Sequence, residues 1–341
     1  MRVKFGFIPT EGGRLYREAL EEVVLGEELG FDSVWMEEHH GVPNHYWPSP
    51  LLVLAGWATR TSRILLGTDV AVVPFYHPVR LAEDAALLAV MSDNRFILGA
   101  AVGYRPQEFE LYGVPLEGRG SRFAEALRLM RRLWAEEDVT FEGRFYRVRH
   151  GRIEPRPAAP IPVWVGGWSP NALRRAARLG DAWLPGPTAD LPTLIQAQAT
   201  YHRFLREAGR DPDRVPRPLT RDVVIAETEA RARELAERHL MVNYRDEYGK
   251  DWQHPLIGQA GVAADRLEAI GRDRFIIGTP DQAVRQIERF RQALGVDHLI
   301  CRLYFPGMPH EHILTELRLI AREVMPAFRP SRVGGGTADA G

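Results

Sequence analysis

Short apolar blocks recur along this chain, and longer stretches of helical polarity separate them. Residues 3–8 form the first block, followed by a stretch in which Leu15, Ala19 and Val23 share one face at helical spacing. Further apolar blocks at 33–36, 64–73, 96–102, 161–165, 182–184, 221–226 and 297–305 predict strands. Between them, helical patterns cover 51–58, 172–179, 191–206, 227–242, 281–294 and 312–324. Pro78 opens another helix at the first-turn position where proline is tolerated, with Val79, Ala82, Ala86 and Val90 on one side. Phe123, Leu127, Met130 and Trp134 mark a longer one. The rhythm breaks twice. Residues 139–148 alternate around Glu142-Gly143 as a hairpin would, before a proline-rich connector at 155–162. Residues 243–275 carry no period and are too long for a plain connector; such a stretch is a lid or disordered.

Eight strands alternating with helices predict an α/β fold, a (β/α)8 TIM barrel with insertions near 136–160 and 243–275. The expected layout is one domain over 1–330 and a disordered glycine-bearing tail over 331–341. Composition adds bounds. The 341 residues carry a net charge of −1, which points to neither nucleic acid nor an anionic membrane as partner. The single cysteine, Cys301, rules out an internal disulfide and favours a reducing compartment. The apolar start is too short for a signal peptide and no run approaches a membrane span, so a cytoplasmic protein is expected. No GxGxxG follows a strand, which argues against a doubly wound nicotinamide domain.

Barrel active sites lie at the carboxyl ends of the strands, and that filter selects the candidate chemistry. Trp35-Met36-Glu37-Glu38-His39-His40 ends the second strand on four titratable groups. Adjacent His39 and His40 point to opposite faces of a continuing strand, so a shared metal ion is not expected. One imidazole at a barrel mouth suits general acid–base work, and the other suits hydrogen bonding to a neighbouring loop. Glu37 and Glu38 are expected to orient neighbours, or one of them to form a buried ion pair. Pro309-His310-Glu311-His312 has HxH spacing but opens a helix, and reads as a solvated helix start. Gly166-Gly167-Trp168-Ser169 follows the fifth strand, and Ser169-Pro170 opens a helix. Such a capped turn can cradle an anion or be no more than a turn. His40, Tyr46, Trp47 and Trp183 are candidate walls of a substrate pocket. Arg131-Arg132 and Arg174-Arg175 read as solvated helix faces.

These pieces together resemble the bacterial luciferase-like, flavin-dependent monooxygenases. The resemblance rests on Trp35 to His40, on Gly67-Thr68-Asp69-Val70 running to Pro74-Phe75-Tyr76-His77-Pro78-Val79-Arg80, and on Asn94 to Gly99. Glu108-Phe109, Tyr112-Gly113-Val114 and Trp164-Val165-Gly166-Gly167 add to it. It implies a barrel that binds reduced FMN, or in a sister branch the deazaflavin coenzyme F-420. It implies that His39 is the catalytic base. Asp69-Val70 would be a bulge, often with a cis peptide, against the flavin ring. Ser169 would hold the flavin phosphate, and 243–275 would be a mobile lid. The cofactor-binding set so implied is Glu38, Asp69, Val70, Gly103, Tyr104, Gly166, Gly167, Trp168 and Ser169. Two departures matter. Val102 stands where luciferases carry a phosphate-binding arginine, with Arg105 as the candidate replacement, and Ala101 stands where they carry a reactive cysteine. That disfavours an aldehyde luciferase. Gly103-Tyr104 resembles the deazaflavin branch, whereas Glu38-His39-His40 leans to the FMN branch. The first expectation is therefore an FMN monooxygenase acting with O2 on a small organic substrate. It would be a homodimer served by a separate NAD(P)H-flavin reductase. The alternatives are an F-420-dependent hydride-transfer enzyme and a flavin-binding subunit without catalysis.

Overall fold

A computed structural model describes residues 2–43, 45–252 and 254–329, so the expected tail at 331–341 lies outside the described residues. Twelve strands are described: β1 (Lys4–Ile8), β2 (Ser33–Met36), β3 (Leu65–Thr68), β4 (Ala71–Val72), β5 (Phe96–Ala101), β6 (Val139–Glu142), β7 (Arg147–Gly151), β8 (Val163–Gly166), β9 (Ala182–Leu184), β10 (Pro218–Ile225), β11 (Ile276–Gly278) and β12 (His298–Arg302). The α-helices are α1 (Tyr16–Glu28), α2 (Pro50–Ala58), α3 (Pro78–Met91), α4 (Pro106–Leu111), α5 (Arg119–Ala135), α6 (Pro170–Leu179), α7 (Leu191–Glu207), α8 (Glu229–Leu235), α9 (Leu267–Ile270), α10 (Pro280–Leu294) and α11 (His310–Leu319).

The fold is a TIM barrel. Its parallel sheet runs β11-β10-β12-β1-β2-β3-β5-β8-β9, and β4 adds to β5. The curled sheet is bridged at its ends by a hydrogen bond from Thr220 N to Pro185 O, 3.2 Å, so the sixth barrel strand meets the lower half of β10. The upper half of β10 pairs instead with β11 through Val223↔Ile276 and Ile225↔Gly278. Inside the ring, the indoles of Trp35 and Trp164 stack at 5.0 Å, with Ile8, Ile97, Leu184 and Ile300 around them. This plug fills the barrel, so the space for chemistry lies above it, at the strands' carboxyl ends.

Several boundaries differ from the sequence expectation. The strand expected over 64–73 is two strands, parted by a cis peptide at Asp69–Val70. Continuous hydrophobicity hides such a break. The strand expected over 221–226 begins at Pro218, where proline costs no ladder hydrogen bond at a strand start. β11 is too short, at three residues, to stand out as a period. The expected helix over 227–242 is α-helical only as far as Leu235, and wider π-helical turns follow at Ala236–Leu240 and Asn243–Asp251. With the 3.6-residue period lost, no amphipathic stripe is readable there. The supposedly structureless 243–275 therefore begins helical. The hairpin expected near 139–148 is β6 and β7, paired antiparallel. No helix is long and apolar enough to cross a membrane among the described residues.

Candidate active site

β2 carries its chain to the mouth and ends there at Met36, delivering Glu37 to His40. β3 and β4 deliver Asp69 and Val70, β5 delivers Ala101 to Tyr104, and β8 delivers Gly166 to Ser169. These loops enclose a cleft of about 470 Å³, roofed by Tyr248, His254 and Pro255 from the 243–275 segment. A cavity of this size is in the range that holds a cofactor-sized ligand.

His39 lies on the cleft wall. Its Nδ1 is 2.8 Å from Glu108 Oε1, and its ring packs edge-on against Tyr46 and at 4.5 Å against Trp252. Glu108 begins near the first turn of α4 and also accepts from His40 N (2.9 Å) and Arg105 Nη1 (2.7 Å). Burial opposes its charge, yet the bond from His39, with His40 N and Arg105, holds its pKa down at about 2. An ionised carboxylate on Nδ1 fixes the tautomer and leaves Nε2 as the basic nitrogen.

Glu38, Asp69, Val70, Gly103 and Tyr104 line the same cleft, as do Gly166, Gly167, Trp168 and Ser169. Glu38 is fully engaged, accepting from Val72 N (2.8 Å) and the Tyr76 hydroxyl (2.9 Å) and bonding His40 Nε2 (2.8 Å). It pins β4 in place. Gly167 has φ +127°, a backbone conformation that side-chain-bearing residues rarely adopt, and this turns the chain into α6. Ser169 caps α6 by accepting from Ala172 N at 3.2 Å.

Four residues expected on a pocket wall do not line the cleft. His40 is buried behind it between Glu38 and the Tyr112 hydroxyl. Tyr46 stacks on His45 at 3.7 Å and is sealed beneath His39. Trp47 packs on Tyr16 and donates to Gly13 O. Trp183 lies behind Trp168, donating to Gly167 O at 2.9 Å. Each is aromatic and near the mouth in sequence, but its side chain points into packing. Arg105 is likewise unavailable as a phosphate ligand, held by Glu108, His40 O and the Trp252 ring. The other HxH pair is not solvated either, because His310 Nδ1 bonds the buried Glu22 at 2.8 Å.

The cations at the cleft come from elsewhere. Arg119 opens α5 and Arg175 lies on α6, and both line the Ser169 end. Arg175 is no solvated helix residue: its Nε is buried without a partner, and burial together with the charge of Arg119 lowers its pKa. A Cβ on Gly120 would sit 2.8 Å from Arg175 Nη1, so the glycine leaves that guanidinium room. Two crowded guanidinia beside two helix N-termini fit a phosphate. Val70, Val72, Ala101 and Leu184 add the apolar wall that a flat ring needs. The donor set therefore fits a flavin-type cofactor.

A second group escaped sequence reasoning. Arg302, at the end of β12, is fully buried, with Nε 2.6 Å from Asp222 Oδ1 and Nη1 2.7 Å from the Tyr248 hydroxyl and 3.5 Å from Glu37 Oε2. The available signal was a charge inside an apolar strand, for Asp222 in β10 as for Arg302 in β12.

A family model described as luciferase-like monooxygenase matches residues 5–298. The chain is 30% identical over 319 residues to an F-420-dependent glucose-6-phosphate dehydrogenase of Kineococcus radiotolerans, covering 90% of this chain and 91% of that one. It is 27% identical over 335 residues to the oxygenase component of a flavin-dependent trigonelline monooxygenase of Acinetobacter baylyi, covering 94% and 92%. Among solved structures, monooxygenase RslO1 from Streptomyces bottropensis superposes with a TM-score of 0.84 at 26% identity, covering 96% of this chain and all of that one. With its barrel, its cleft at the strand ends and the match across nearly its whole length, the chain belongs to the luciferase-like monooxygenase family.

Proposed function

We propose that this chain is an oxidoreductase that binds the deazaflavin coenzyme F-420 in the cleft and exchanges hydride with a small alcohol or imine-like molecule. The observation that carries the reading is the His39–Glu108 pair on the cleft wall. Several of the most similar relatives carry an F-420-dependent dehydrogenase name, which supports it. Bound in the cleft, the cofactor would supply the hydride-accepting or hydride-donating ring carbon. The chain does the rest. Arg119, Arg175 and the α6 N-terminus at Ser169 would hold the phosphate. His39 Nε2 takes a hydroxyl proton, and the ionised Glu108 stabilises the imidazolium that results. Tyr248, His254 and Pro255 exclude water from above.

FMN with O2 is the second reading, favoured by the trigonelline monooxygenase relative and by the likeness to RslO1. It brings with it a separate NAD(P)H-flavin reductase. Under either reading a homodimer is proposed, with Leu87, Val90 and Met91 of α3 as exposed apolar side chains available to a second copy. The test is titration of the purified protein with F-420, FMN and reduced FMN, followed by fluorescence and absorbance. Selective F-420 binding supports hydride transfer. Selective binding of reduced FMN overturns it in favour of the oxygenase.

A further inference from the structure

The two ends of the cleft have opposite electrostatics. Among the described residues, the arginines that line it are Arg119 and Arg175, both at the Ser169 end. The other end is lined by Glu37 and Asp69, with Tyr104, Tyr248 and His254 as its aromatic wall. Tyr104 and Tyr248 each lie within 5.3 Å of the His254 ring. Burial pushes the His254 pKa down to about 3, so it contributes a neutral face.

Positive charge is short there. Four acidic side chains, Glu11, Glu37, Asp69 and Asp222, share the buried Arg302. Arg302 gives its closest contact to Asp222 and is 3.5 Å from Glu37. Its Nη2 is buried without a partner, and Arg302 does not line the cleft. Glu11 Oε1 accepts from Glu37 N at 2.8 Å, while its Oε2 is buried with no hydrogen-bond partner. Asp69 has a hydroxyl neighbour, Thr220, at 2.5 Å. Burial, with Asp69 and Asp222 adding to it, pushes Glu37 up to about 8 against the pull of Arg302. One guanidinium is not enough for this group of acids.

We propose that the Glu37–Asp69 end of the cleft selects a substrate carrying a cationic nitrogen, an alkylammonium or iminium next to an apolar or aromatic body, and rejects phosphorylated ones. The ammonium would meet the ionised carboxylate of Asp69, its charge would favour proton loss from Glu37 beside it, and the Tyr104 and Tyr248 rings would attract it through their faces. A hexose phosphate would set its dianion beside Glu37 and Asp69 with no lining arginine at that end. The inference rests on the cleft being the cofactor and substrate site, and holds for either cofactor.

The test uses the full chain loaded with whichever cofactor it binds. Benzylamine, benzyl alcohol and glucose 6-phosphate are titrated at neutral pH by calorimetry. The expected result is benzylamine binding at least tenfold more tightly than benzyl alcohol, with glucose 6-phosphate weakest. In Asp69→Asn and Glu37→Gln, each checked by circular dichroism, the amine-to-alcohol ratio should fall toward one. Equal affinity for amine and alcohol in the unaltered protein, or tightest binding of glucose 6-phosphate, overturns the proposal. If a variant fails to fold, the ranking in the unaltered protein decides. The cofactor titration is separate, so loss of cofactor binding counts against the oxidoreductase reading and not against this preference.

Discussion

At the residue scale, the proposed role of His39 as a base rests on its partner. Glu108 is ionised well below neutrality and aligned on Nδ1. Replacing either member should lower turnover by about 10²–10⁴-fold while leaving cofactor affinity within a few-fold of normal. Steady-state rates and cofactor titration of His39→Ala and Glu108→Gln check this, and a Glu108→Gln enzyme with normal turnover would sink the pair. Asp69 makes a different prediction. Burial raises its pKa to about 6, despite Thr220 and Arg302. The folded state therefore holds this proton above the pH at which the unfolded chain loses it, near 3.9. Stability is lost as pH rises through that window, by about 3 kcal/mol once both states are ionised. Asp69→Asn should be free of this loss, so its denaturation midpoint should gain on the unaltered protein between pH 4 and 6. Parallel curves would exclude the raised pKa.

At the element scale, two helix starts and two arginines form the proposed anion site. Ser169 serves α6 as its N-cap and also lines the cleft. Ser169→Ala should cost about 1 kcal/mol of stability through the lost cap and weaken cofactor binding together. Arg175→Ala should leave thermal stability nearly unchanged, because burial already works against the Arg175 charge, while cofactor affinity falls by about tenfold or more. Thermal melts beside cofactor titrations separate the two effects. Unaltered cofactor dissociation constants in both variants would remove the phosphate assignment from this end of the cleft. The π-helical turns of Asn243–Asp251 act at the same scale. Tyr244 and Tyr248, four residues apart, both face inward, one to Asp222 at 2.6 Å and the other to Arg302 at 2.7 Å. The roof of the cleft is thus bonded to the same charged group that lies under its floor.

At the scale of the whole molecule, the barrel interior is closed by aromatic packing and the site is left to the loops above. Trp35 is fully buried, stacked on Trp164, and its indole donates to Ser33 Oγ at 2.7 Å. Trp35→Ala should cost about 3–5 kcal/mol, the usual range for emptying so large a core position. Chemical denaturation measures it, and a loss below about 1 kcal/mol would mean that the plug is not what holds the strands together.

The sequence by itself determined the alternation of strands and helices, the hairpin insertion, the two gaps in periodicity and the loops at which chemistry would gather. Those features are local, because hydrophobic period and turn chemistry are written residue by residue. His39 and the Gly166–Ser169 turn could be placed at the mouth for the same reason, each following a strand, whereas Asp69 and Val70 lay inside one apolar run and were singled out by the family resemblance. Tertiary structure decided the rest. Side-chain direction removed His40, Tyr46, Trp47 and Trp183 from the cleft wall, although they flank the site in sequence. Convergence of distant elements brought Glu108 to His39 across 69 positions and Arg302 to Tyr248 across 54. It also turned Arg175 from an apparent surface charge into a lining cation. No period or motif encodes such pairings. They exist only once the curled sheet sets which strand ends share one mouth.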